Sequence, residues 1–252
     1  MWSTARFGAL AIILFALAGI AWFALELAPP ILGFADTDDP SVSLKFLREH
    51  SDIYVQAGIV LILMAITLTL ATFAVSDVVA PRSNSLALRS TSAFGLFSAA
   101  FFLAHGALRE GAGPLLYVDS LNHDWGETAY LAVQMVGIHG FAQAAVFALC
   151  TWAVGVSLIG LRTKAIPLAV CALGIIPAFR LLTALLGPLG VLPDGLWFLS
   201  IASIPGVMLW CLILGIVLLR MTSTASGNRI TRGALSEVQR RIASPTDDSV
   251  SC

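Results

Sequence analysis

An arginine stands inside the apolar run GIIPAFRLLTALLG (174–187), where Arg180 follows Pro177 by three residues. A guanidinium at the centre of a membrane helix costs about 2.5–3.5 kcal/mol on the milder insertion scale, so it calls for a partner, a wet cavity or an anionic ligand. Other polar residues interrupt comparable runs. Glu26 closes the first of them. Ser98, His105 and Arg109 are spaced seven and four apart, and His139 and Gln143 four apart. On α-helices each set shares one face, with Gln134 on a different side from His139. Three chemistries suit these types. Arg180 could pair with Glu26 or receive an anionic ligand. His105 and His139, on consecutive helices, could ligate a haem or, with a carboxylate, a metal ion. Ser98 with His105 could support nucleophilic hydrolysis.

The spacings separate these three. There is no HExxH, HxxxH, CxxCH or GxSxG pattern. Seven helical residues hold Ser98 and His105 about 10 Å apart, too far for a serine and its base. His105 is expected at a shallower depth than His139, which disfavours axial haem ligation. The reading therefore includes no cofactor and assigns no catalytic residue. Cys150, Cys171 and Cys211 fall in hydrophobic runs and Cys252 is the last residue, so they read as small core residues without a disulfide framework.

The elements that must position these residues are membrane helices. The chain has 252 residues, 58% hydrophobic and 12% charged, with mean hydropathy +0.90. Soluble domains carry about 25% charged residues. A net charge of −1 excludes a nucleic-acid partner, which needs a basic surface. A span needs about 20 apolar residues. Six stretches qualify: 7–28, 53–75, 91–108, 128–156, 165–186 and 196–219. The first is too long for a signal-peptide core and reads as a retained helix. The expected architecture is an all-α polytopic bundle over 1–220, followed by a polar, partly disordered cytoplasmic tail over 221–252.

Charge sets the expected orientation. With both termini in the cytoplasm, Arg6, Arg82, Arg89, Arg162, Lys164, Arg220, Arg229, Arg232, Arg240 and Arg241 lie inside, against Lys45, Arg48 and Arg109 outside. That asymmetry is the positive-inside pattern. Trp22, Tyr54, Tyr117, Trp125, Tyr130 and Trp197 gather near the outer ends as an interfacial belt would. In the first outer loop, Asp39 and Pro40 can start a short helix running to His50, with Val42, Phe46 and Leu47 toward the membrane surface.

This threading collects the intramembrane polar groups toward the extracytoplasmic half. Pro177 and Pro205 fall at matching depth and should bend their helices there. The expectation is an outward-facing pocket lined by Glu26, His105, Arg109, Gln134, His139, Gln143 and Arg180, in a bacterial inner (plasma) membrane protein whose partners are the bilayer and a small anionic or amphipathic ligand. A membrane enzyme or redox protein using His105 and His139, and a non-catalytic accessory subunit, are the alternatives. The short N-terminus, the six spans, the acidic first outer loop and GALAIILFALAGIAWFALELAPP (8–30) resemble uncharacterised bacterial multi-pass proteins common in actinobacteria. The resemblance covers most of the chain in hydropathy layout and implies no activity or functional residues.

Overall fold

Long apolar runs with few helix breakers favour helices whose backbone groups are satisfied internally, and the computed structural model is helical throughout its described residues, 4–34, 40–80, 86–122, 126–186 and 203–221. Six of its helical segments are long and apolar enough to cross a membrane. The first is α1 (Thr4–Glu26), followed by one short turn, α2 (Ala28–Ile31), and by α3 (Pro40–Glu49) and α4 (Ser51–Val79). Then come α5 (Leu86–Asn122), α6 (Gly126–Gln134), a π-helical stretch (Met135–Ala142) and α7 (Gln143–Thr163). The chain closes with α8 (Leu168–Leu173), α9 (Ala178–Leu186) and α10 (Ser203–Met221). The cytoplasmic tail expected over 221–252 lies almost wholly outside the described residues.

The helices are apolar on both faces, as lipid-facing helices are. In α1, Ala9, Ile12, Phe15 and Ala16 are buried, while Leu14, Leu17 and Ile20 on the opposite side are half exposed. Apolar lipid removes the hydrophobic driving force between helices, so close packing and internal hydrogen bonds hold such bundles together. One close crossing joins α4 to α5. A methyl group on Gly106 would stand 2.7 Å from the Gly58 carbonyl oxygen, and one on Gly58 would stand 3.1 Å from the Gly106 carbonyl. Two glycines thus let the backbones touch next to His105 and Arg109. Ser98 Oγ ties α5 to α7 by donating to the Ala145 carbonyl at 2.8 Å. Trp152 and Trp210 join α7 to α10, ring centroids 5.6 Å apart.

Four elements differ from the sequence reading. The third span does not stop at residue 108. It runs on through Gly111, Gly113 and Pro114 to Asn122 as one helix of 37 residues, about 55 Å at 1.5 Å per residue. The segment read as an outer loop is therefore largely helical.

The second difference is α3. It forms where Pro40 places it, but Leu44, Phe46 and Leu47 are buried. Leu44 and Leu47 pack with Tyr130, Tyr54 and Val133, and Ser43 hydrogen-bonds the Tyr130 side chain. The short helix caps one end of the bundle, a better use of its apolar face than lying on the membrane surface.

Third, the span over 165–186 is broken, not merely bent. Pro177 lacks the N–H that would bond Leu173. The backbone from Gly174 to Pro177 winds through three-residue turns, with Ala178 N–H to Ile175 O at 2.8 Å and Arg180 N–H to Pro177 O at 3.0 Å. Gly174 lets the broken segment pack closely on its neighbours, because a side chain there would run into the Ser157 hydroxyl and the Trp210 ring. Pro205 is the third residue of α10 as described, so the second bend expected at matching depth falls where the preceding residues lie outside the described ones.

The fourth difference is the π-helical stretch, which replaces regular α-helix over Met135–Ala142. His139 lies in this stretch and its side chain lies outside the described residues, so its expected shared face with Gln143 does too.

Candidate functional site

At the end of the bundle capped by α3, four elements turn five polar side chains toward one another. Glu26 is the last residue of α1. His105 and Arg109 sit one turn apart on α5, against the glycine crossing with α4. Gln143 opens α7 where the π-stretch ends, and Arg180 follows the break at Pro177. Glu26, His105, Arg109, Gln143 and Arg180 line one partly open cavity of about 200 Å³. Its apolar wall comes from Trp22, Phe23, Ala142, Val146 and Ile204.

Arg109 organises the site. Its Nη2 meets Glu26 Oε1 at 2.6 Å, and its Nε donates to His105 Nε2 at 3.2 Å. Its guanidinium carbon lies 5.0 Å from the Tyr54 ring centroid, a cation–π contact. The Arg109 side chain is 6% exposed and that of Glu26 30%. A charge buried to that degree is tolerated only with such a set of partners. Where the sequence pairs Glu26 with Arg180, the structure gives the carboxylate to Arg109. Arg180 Nη2 donates to the Gln143 side-chain oxygen.

The contact with Arg109 fixes the state of His105. Nε2 accepts a proton, so the ring is neutral and its hydrogen sits on Nδ1. That Nδ1 is buried and meets no hydrogen-bond partner among the described residues, and the same holds for the indole nitrogen of Trp22. Two N–H donors are thus unmatched among the described residues, both enclosed by protein. The His105 lone pair that a metal or haem iron would need is already used by Arg109. No group of three or more metal-ligating side chains occurs among the described residues. Ser98 donates to the Ala145 carbonyl one element away, so it plays no part with His105.

Of the seven residues singled out from sequence, five meet at the cavity. Gln134, half buried on α6, is not part of the lining. His139 falls in the π-stretch, and its side chain lies outside the described residues, as does any convergence with His105. Three participants were missed. Trp22, Tyr54 and Tyr130 read as interfacial belt residues, yet Trp22 and Tyr130 are only 7% and 6% exposed and Tyr54 stacks under Arg109. Arg109, counted from sequence among the outer charges and also in the pocket lining, is buried at the cavity. Its sequence signal was the shared face with His105, four residues earlier. Glu110 also falls within an apolar span, but its carboxylate faces Gly58 on α4 and stays outside the lining.

No family model, curated protein or solved structure shows a match to this chain. The site's own geometry therefore carries the functional reading.

Proposed function

We propose that the protein is a multi-pass protein of a bacterial inner (plasma) membrane, with six spans and both termini in the cytoplasm, which binds or transports a small anionic or amphipathic molecule through a cavity open to the extracytoplasmic side. One observation carries the binding role: Glu26, His105, Arg109, Gln143 and Arg180, drawn from four helices, line one partly open cavity of about 200 Å³ whose remaining wall is apolar. Ionisable groups within apolar spans mark ligand and ion paths when they gather at such a cavity. The orientation rests on the arginine asymmetry of the loops.

Impermeant maleimide labelling in intact cells tests the orientation. Cys150, Cys171 and Cys211 are replaced by alanine, leaving Cys252 as a reporter of the C-terminus; a second variant adds Lys45→Cys, at an exposed position of α3, with Cys252→Ser. The Lys45→Cys protein should label in intact cells and the Cys252 protein only after permeabilisation. The reverse pattern would overturn the proposed side of the cavity.

A further inference from the structure

The two halves of the broken span over 165–186 are held in opposite ways. The half before the break is fixed on the bundle. Val170 and Cys171 are buried, Trp210 Nε1 on α10 donates to the Val170 carbonyl at 3.0 Å, and a methyl group on Gly160 of α7 would stand 2.9 Å from the Cys171 sulfur. Gly174 and Pro177, at the two ends of the break, are buried too.

The half after the break is held loosely. No residue of α9 is buried. Leu181 reaches the main core only in part, while Phe179, Leu182 and Leu185 are exposed. On a membrane span those side chains meet lipid, which is as apolar as leucine. Turning α9 exchanges one lipid contact for another, at little cost in burial.

The backbone between the halves permits the turn. Ile175, Ile176, Ala178, Phe179 and Arg180 each donate three residues back, and Pro177 has no N–H to bond Leu173. Three-residue turns inside a helix often mark functional hinges. α9 brings one side chain to the cavity lining, Arg180, which bonds Gln143 on α7.

We propose that α9 is a hinged gate: it turns as a unit about residues 174–177 while α8 stays fixed, carrying Arg180 with it and so widening and narrowing the cavity. The hinge stands on packing and backbone alone, and its use as a gate rests on the binding reading above. α9 has nine residues, about 13 Å at 1.5 Å per residue. A turn of about 20°, the onset of a sharp kink, therefore moves its far end by about 5 Å.

Double electron–electron resonance of nitroxide pairs in lipid nanodiscs tests this in the full chain with its four native cysteines replaced by alanine. Phe73→Cys on α4 serves as the fixed site, paired with Leu185→Cys on α9 or with Leu168→Cys on α8, all three at exposed positions. The α9 pair should give two distances about 5 Å apart, or one distribution wider by about that amount, and the α8 pair a single narrow one. Saturating sodium benzoate, a small amphipathic anion whose binding to the same sample is read by calorimetry, should merge the α9 distances into one. Benzamide, its neutral isostere, should not. Pro177→Ala, which returns the missing N–H, should also narrow the α9 pair. Equal, narrow distributions for both pairs without benzoate would overturn the hinge whether or not benzoate binds. Benzoate that binds without changing the α9 distances would overturn the gate. Absence of calorimetric binding would overturn the binding reading and the gate with it, the hinge being decided by the two pairs alone.

Discussion

Arg109→Met is expected to destabilise the protein by about 3 kcal/mol, because it removes a buried cation and leaves a carboxylate behind. Methionine keeps the length and packing of the arginine stem, so the loss isolates the charge. Three contacts disappear together: Glu26 at 2.6 Å, His105 at 3.2 Å and the Tyr54 ring at 5.0 Å. Breaking a buried pair by removing one partner costs about 3–5 kcal/mol. The Glu26 side chain retains 30% exposure toward the cavity, which places the cost at the lower end. Thermal unfolding in detergent, followed by near-ultraviolet circular dichroism, should show a midpoint lower by on the order of 10 °C. Adding Glu26→Met should restore most of the loss, since the double variant buries no orphan charge. A single variant as stable as wild type would show that the pair does not hold the site together.

Arg180→Gln should weaken binding of benzoate, a probe of the small amphipathic anion proposed above, by about 10- to 100-fold while leaving the unfolding midpoint nearly unchanged, the reverse of the Arg109 result. A charge-assisted hydrogen bond contributes about 1.5–3 kcal/mol. The small stability effect follows from position. α9 has no fully buried residue, and Phe179, Leu182 and Leu185 on it are exposed. Arg180→Lys keeps the charge without the planar fork and should fall between wild type and Arg180→Gln. Titration calorimetry paired with the midpoint of the same sample separates the two roles. Equal benzoate affinity in wild type and Arg180→Gln would remove Arg180 from the binding site.

The two arginines show what the sequence can and cannot express. Both are visible as cations in apolar runs, and helical spacing places Arg109 with His105 because that relation is local. Which arginine meets Glu26 depends on distances between non-adjacent helices, which no spacing encodes. The close approach of α4 and α5 at Gly58 and Gly106 brings Arg109 under cover, and hydropathy alone assigned it to a loop. Pro177 announced the break in its helix because the missing N–H is a property of the residue itself. The π-stretch had no such signal. Its residues, MVGIHGFA, fit an ordinary apolar helix. The extension of α5 was hidden for the opposite reason: Gly111, Gly113 and Pro114 are weak helix formers, and packing beside α3 and α6 accompanies a helix that propensity disfavours. Aromatic residues near the span ends are ambiguous in principle, since a belt position and a cavity wall require the same amphipathic ring.

Protection of a cysteine in the cavity wall tests the central claim most directly. Ile204→Cys, in a chain whose four native cysteines are replaced by alanine, is exposed to an impermeant maleimide in intact cells, with and without benzoate. The account predicts labelling in its absence, slowing that saturates with benzoate, and no slowing by benzamide. Labelling at the same rate with and without benzoate, or only after the membrane is permeabilised, would contradict an outward-open cavity that receives a small amphipathic anion.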